Sequence, residues 1–157
     1  MATHIVTECI VMNECRLIYR SKAGSDFSST HYTEEFSKKC SDSNKSKNIT
    51  GLLVLTHGSF LQAIEGVYEE INQLFCRIAK DPRHTEVQII NFELINMRIF
   101  PDWYMKTITI EDLSERTQQT LKEKFGSPEK NHLEIPIEPT LVRSLLLDAS
   151  YVYRQSN

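Results

Sequence analysis

The residue best placed for chemistry in this chain is a carboxamide set among apolar side chains. Gln62 lies in Ser59-Phe60-Leu61-Gln62-Ala63-Ile64-Glu65-Gly66, which reads as a short strand ending at a glycine. Side chains alternate faces along a strand, so Phe60, Gln62 and Ile64 share one apolar face. A carboxamide there must find hydrogen-bond partners or cost stability. Glutamine offers two donors and one carbonyl acceptor, which suits a polar ligand held against a sheet. The competing reading is a core or edge glutamine satisfied by neighbouring backbone.

Other site chemistries find little support. Cys9, Cys15, Cys40 and Cys76 form no C-x-x-C pair and no histidine cluster accompanies them, so the pattern points to reduced cytosolic thiols and a cytoplasmic protein rather than to zinc or a disulfide framework. The formal net charge is -3 and no basic run stands out, which argues against nucleic acid as a partner. No apolar stretch is long enough to span a bilayer, and the amino terminus lacks a basic n-region. With 157 residues, 40% of them hydrophobic and 25% charged, the chain fits one globular domain with a short appendage. Residues 1 to 13 read as a strand-like or disordered lead-in.

The elements that must hold Gln62 follow from periodicity. Arg16 to Ser21 reads as a first strand with Leu17, Tyr19 and Ser21 on one face. A Ser- and Gly-rich loop from Gly24 to Thr30 precedes a helix expected from about His31 to Ser43, with Tyr32, Phe36 and Cys40 at four-residue spacing. Asn44 to Asn48 reads as a polar connection. Ile49 to Leu55 is nearly continuously apolar, as in a strand covered on both faces, and His57-Gly58 turns it into the Gln62 strand as a hairpin. The clearest helix runs from about Glu69 to Lys80, with Ile71, Leu74, Phe75 and Ile78 as its buried stripe, and Asp81-Pro82 stops it. Glu86 to Asn96 and Trp103 to Ile110 read as two more strands. The order β-α-β-β-α-β-β is a ferredoxin-like α+β fold, a mixed sheet with two helices on one face and one added strand. Leu113 to Phe125 and Pro139 to Tyr153 read as carboxy-terminal helices.

Five motifs in this order carry a resemblance: Leu17-Ile18-Tyr19-Arg20-Ser21, Asn48-Ile49-Thr50-Gly51-Leu52-Leu53, Phe60 to Gly66, Asp81-Pro82-Arg83-His84, and Phe100-Pro101-Asp102-Trp103-Tyr104-Met105. Together they resemble the BLUF family of blue-light sensors using flavin, over about Glu14 to Ile110. The resemblance implies a flavin between the two helices, Tyr19 as the photoactive tyrosine and Gln62 as the switching glutamine. It places Asn44 at the flavin ring edge, where one carboxamide can both donate to C4=O and accept from N3-H. Arg77, Asp81 and Arg83 fall near the flavin, Cys40 stands where relatives often carry a serine, and Trp103 with Met105 on the last strand would transmit the signal. The implied chemistry is a brief Tyr19 radical, return of the electron, and a Gln62 left in a changed hydrogen-bonding state.

Each residue also has a plainer reading: Tyr19 as a strand aromatic, Asn44 as a turn former, Arg77 with Asp81 as a surface pair, Trp103 as core. At the level of the whole chain, the resemblance divides it into an extension (1–13), a flavin-binding domain (14–110) and a helical extension (111–157). It implies a non-catalytic photoreceptor with FAD as the first choice over FMN or riboflavin, acting as a homo-oligomer or through an unidentified protein partner. One alternative is the sensory module of a light-regulated cyclase or phosphodiesterase; another is a flavin-dependent oxidoreductase working in the dark. Leu141, Val142, Leu145, Leu146, Ala149 and Val152 form an apolar stripe that either meets a partner or folds back on the sheet.

Overall fold

The structure is a computed structural model that describes residues 13–25, 27, 34–127, 129–130 and 132–156. Five strands form one mixed sheet: β1 (Glu14–Ala23), β2 (Thr50–Thr56), β3 (Ser59–Val67), β4 (His84–Ile95) and β5 (Lys106–Thr109). Their spatial order is β4-β1-β3-β2-β5. Every neighbouring pair is antiparallel except β2 with β5. The helices are α1 (Glu34–Ser46), α2 (Tyr68–Lys80), α3 (Glu115–Phe125) and α4 (Pro139–Ser156). The ferredoxin-like order expected from the sequence is therefore the order observed.

Alternation explains how the sheet serves two cores. Leu17, Tyr19 and Ile64 point to the face covered by α2, where they meet Ile71 and the half-buried Leu74, Phe75 and Ile78. Ile18, Leu52, Val54, Leu61, Ala63 and Ile108 point to the other face and pack with Leu121 and Phe125 of α3 and Val142, Leu145, Leu146 and Ala149 of α4. Val142, Leu145, Leu146 and Ala149 of the stripe on the last helix thus fold back on the sheet, whereas Leu141 is 47% exposed.

Two glycines are needed where they stand. His57 (φ 43°) and Gly58 (φ 72°) both have positive φ, the requirement of a two-residue type I′ hairpin turn. At Gly51 a Cβ would lie 2.2 Å from the Ala63 carbonyl oxygen, and the Gly51 amide instead donates to the Trp103 carbonyl at 2.7 Å.

Three expectations are corrected. The first helix spans Glu34–Ser46, so Asn44 sits in its last turn and not in a connection; His31, Tyr32 and the Phe36 side chain lie outside the described residues. The helix expected from Leu113 begins at Glu115, where Ser114 accepts the Thr117 amide as N-cap. The last strand begins at Lys106, not Trp103. The carbonyls of Trp103 and Tyr104 are taken by the Gly51 amide and the Asn44 side chain, so this stretch bends instead of joining the ladder.

Candidate functional site

Strand register assembles the site. Tyr19 pairs with Gln62, Gln62 with Leu53, and Leu53 with Thr107, a row across four strands on the α2 face. Directly opposed residues have side chains close enough to interact. The Tyr19 hydroxyl donates to Gln62 Oε1. Gln62 Nε2 donates to the Met105 sulfur at 3.0 Å. Tyr19 is fully buried and Gln62 is 6% exposed, so these partners answer the demand that a carboxamide among apolar side chains creates.

Gln62, Leu53 and Thr107 of this row line a cavity of about 300 Å³ between sheet and helices. Cys40 and Asn44 from α1, Arg77 and Ile78 from α2, Asp81, Arg83 and His84 from the following turn, and Gln62 and Met105 all line it. Tyr19, beside Gln62 on the neighbouring strand, meets the cavity through its hydrogen bond to Gln62. Asn44 is 5% exposed; its Nδ2 donates to the Tyr104 carbonyl at 2.8 Å. That bond fixes the amide orientation and leaves Oδ1 as an acceptor for a ligand N–H. Cys40 is half-buried, and burial pushes its thiol pKa up, which keeps it protonated as a weak S–H donor.

Asp81 does not pair with Arg77, the surface pair considered above. Its carboxylate takes the Arg83 amide at 2.9 Å and the Arg83 guanidinium through Nε at 2.9 Å and through Nη2. These bonds, the guanidinium first, hold the Asp81 carboxyl at about 2, below the ordinary 3.8. A carboxyl depressed in the folded state adds stability above its unfolded value and loses it as pH falls. The parent protein should therefore lose stability more steeply than Asp81→Asn between about pH 4 and about pH 2, as thermal melts across that window will show. Equal slopes would mean that the pair contributes nothing.

Trp103 and Met105 part company. Met105 lines the cavity, whereas Trp103 packs on the opposite core. There Trp103 stacks on Phe100 (5.9 Å, 5°), meets the edge of Tyr153 (6.1 Å, 86°) and lies 4.7 Å from the Arg154 guanidinium. The expected shared strand face is thus replaced by a bent segment with one residue on each side of the sheet.

His84 belongs to the site although sequence reasoning gave it no role. Its Nδ1 lies 2.8 Å from Ser21 Oγ, its ring is 4.7 Å from Phe60, and it lines the cavity. Burial lowers its pKa and favours neutral imidazole. The signal was available, since Ser21 shares the face of Tyr19 and His84 follows the turn that Asp81-Pro82 announces.

A flavin ring fits this donor set: Leu53, Leu74 and Ile78 offer apolar surface, and the carboxamides of Asn44 and Gln62 line the same cavity. The sequence model of the family described as "Sensors of blue-light using FAD" matches residues 15–106. The chain belongs to this family, BLUF, and is a flavin-binding photosensory domain. It is similar to the beta subunit of a photoactivated adenylate cyclase of Euglena gracilis, 32% identical over 105 residues, which are 65% of this chain and 12% of that protein. It thus spans a small part of the curated relatives it matches. A bacterial light-regulated adenylyl cyclase superposes with TM-score 0.65 at 35% identity, covering 70% of this chain and 32% of that one. BlrB, a BLUF protein in its dark state, superposes with TM-score 0.68 at 25% identity, covering 90% of this chain and 97% of that one. Among the described residues no helix is long and apolar enough to cross a membrane.

Proposed function

We propose that light acts through the Tyr19–Gln62–Met105 hydrogen-bond chain and that the change leaves the domain through Trp103 and α4. The chain itself is the observation that carries this reading. A flavin held in the cavity that Asn44 and Gln62 line would supply absorption of blue light and, once excited, an oxidising centre for Tyr19. Oxidation of a phenol is easier when its proton has an acceptor, and Gln62 Oε1 already holds that hydrogen bond. Gln62 Nε2 meanwhile donates to a thioether, a weak acceptor. Leaving Met105 for a carbonyl therefore costs Gln62 little, and a cheap exchange of partners is what a two-state switch needs. Met105 is unbranched and adapts to the loss.

Arg77 and Arg83 line the cavity alongside Lys39, which supports a phosphate-bearing flavin over riboflavin. FAD accords with the family description, although nothing in the ring contacts demands the adenine. Residues 14–110 would form the sensor and 111–157 its output extension. Val142, Leu145, Leu146 and Ala149 of α4 are occupied by the sheet, so self-association would use other surfaces; gel filtration with light scattering should show a lit-minus-dark change in mass, and a monomer in both states would count against it. A second reading is favoured by the cyclase relatives: the same sensor acting on an effector domain in a longer protein.

The deciding experiment is an absorption spectrum before and after blue light, with a reversible red shift expected. A folded, flavin-loaded protein that shows no shift would sink the reading. Trp103→Ala should keep the shift while changing recovery rate or output, because Trp103 lies beyond Gln62 on the opposite core. Its cost to folding should stay under about 3 kcal/mol, since the ring is only partly buried. Loss of flavin from this variant would make Trp103 a structural residue instead.

A further inference from the structure

The segment between β4 and β5 is held in two ways, and the difference between them has a consequence. Its first part is fastened by buried charge. Glu65 is fully buried and Arg16 is 2% exposed. Glu65 Oε1 accepts from Arg16 Nε at 2.6 Å and from the Ile99 amide at 2.9 Å, and Oε2 accepts from the Phe100 amide at 2.9 Å. Arg16 also donates to Glu93 at 2.6 Å and to the Met97 carbonyl at 3.2 Å. Arg98 grips Glu14 through Nε at 3.0 Å and through Nη2, and reaches Thr50 Oγ1 at 3.3 Å. Three strands, β1 through Glu14 and Arg16, β2 through Thr50 and β3 through Glu65, thus clamp residues 97–100 with charge-assisted bonds, the strong kind.

The second part is held by neutral groups that belong to the light-sensitive site. The Trp103 carbonyl takes the Gly51 amide, the Tyr104 carbonyl takes Asn44 Nδ2, and the Met105 sulfur takes Gln62 Nε2. Two of these three donors are the carboxamides of Asn44 and Gln62, which line the cavity. Neither carboxamide takes part in the bonds that hold 97–100.

We infer that Glu65 is a positioning residue: with Arg16 it fixes one end of the 97–105 segment, so that a change at Gln62 swings Trp103 against Tyr153 and Arg154 of α4 instead of loosening the whole loop. The inference rests on the photosensor reading above. Glu65 lies on the sheet face opposite Gln62, three residues away, and does not line the flavin cavity. Stability alone does not account for it, because a buried ion pair is often no better than apolar residues of the same volume. What the pair adds is a defined position for two backbone amides, which an apolar pair cannot hold.

Amide hydrogen exchange on the flavin-loaded protein tests this in the dark and under blue light. In the parent protein, exchange at Gly51, whose partner is the Trp103 carbonyl, should change on illumination, while Ile99 and Phe100 stay equally protected in both states. In Glu65→Gln the red shift should persist, but Ile99 and Phe100 should exchange about tenfold or more faster. The lit-minus-dark fluorescence difference of Trp103, the single tryptophan of the chain, should be lost there. A purely structural role would alter stability without abolishing that difference selectively. Light that accelerates Ile99 and Phe100 as much as Gly51 in the parent overturns the inference, whether or not the variant folds. So does an unchanged Trp103 difference in folded Glu65→Gln. A parent protein with no red shift overturns the photosensor reading itself, and this inference with it.

Discussion

Tyr19→Phe should bind flavin as the parent does and give no red-shifted state under blue light. The ring keeps its place: it is fully buried and meets Phe75 edge-on at 5.5 Å and 63°. Only the hydroxyl is lost, and with it the donor to Gln62 Oε1. Leaving that carbonyl without its donor costs on the order of 1 kcal/mol, too little to unfold the domain. The photochemical loss is complete by contrast, because phenylalanine has neither a readily oxidised ring nor a transferable proton. Flavin emission should rise, since the quenching electron donor is gone. A light-minus-dark spectrum and a fluorescence yield measure both. A normal reversible shift in Tyr19→Phe would mean that another side chain donates, and the role given to Tyr19 would fall.

The fold was legible wherever local pattern and tertiary need agree. The Phe60, Gln62, Ile64 alternation, the His57-Gly58 turn and the Ile71, Leu74, Phe75, Ile78 stripe are short-range signals, and the structure uses each as its pattern suggests. The failures share a cause. Asn44 is polar and follows a weakly apolar helix, so it reads as loop; it is buried in the last turn because the Tyr104 carbonyl, sixty residues away, takes its Nδ2. Trp103 to Met105 has strand composition, yet its carbonyls are taken by Gly51 and Asn44, and no local period records that. The same holds for Asp81, whose partner two residues on is preferred to the one four residues back because the chain has left the helix between them. The clamp of Arg16 and Glu65 joins residues 49 positions apart. Alternation alone places Glu65 opposite Gln62, but only the structure shows what its charge meets.

Gln62→Leu should remove the switch from the other side and leave a different trace. Leucine accepts nothing from Tyr19 and donates nothing to Met105, so the carboxamide's bonds to both are lost at once. The Tyr19 hydroxyl, fully buried, then lacks its Gln62 acceptor, at a cost of about 1–3 kcal/mol. For a chain of this size each kcal/mol lowers the melting temperature by about 2–4 °C, so Gln62→Leu should melt measurably below Tyr19→Phe. Under blue light it should give no red shift, since no carboxamide remains to exchange partners. Its dark state should also differ from that of Tyr19→Phe. The hold of Gln62 on Met105 is absent even without light, so residues 103–105 stay loosened and the Trp103 emission should be the same lit and dark, at a value unlike the parent's dark value. Tyr19→Phe keeps the Gln62 to Met105 bond, and its Trp103 should sit at the parent's dark value under both conditions. The pair of variants therefore separates starting the switch from carrying its output. If Gln62→Leu shows the parent's dark Trp103 emission, the Met105 contact does not hold the segment, and the route from Gln62 to α4 must run through Asn44 and the Tyr104 carbonyl instead.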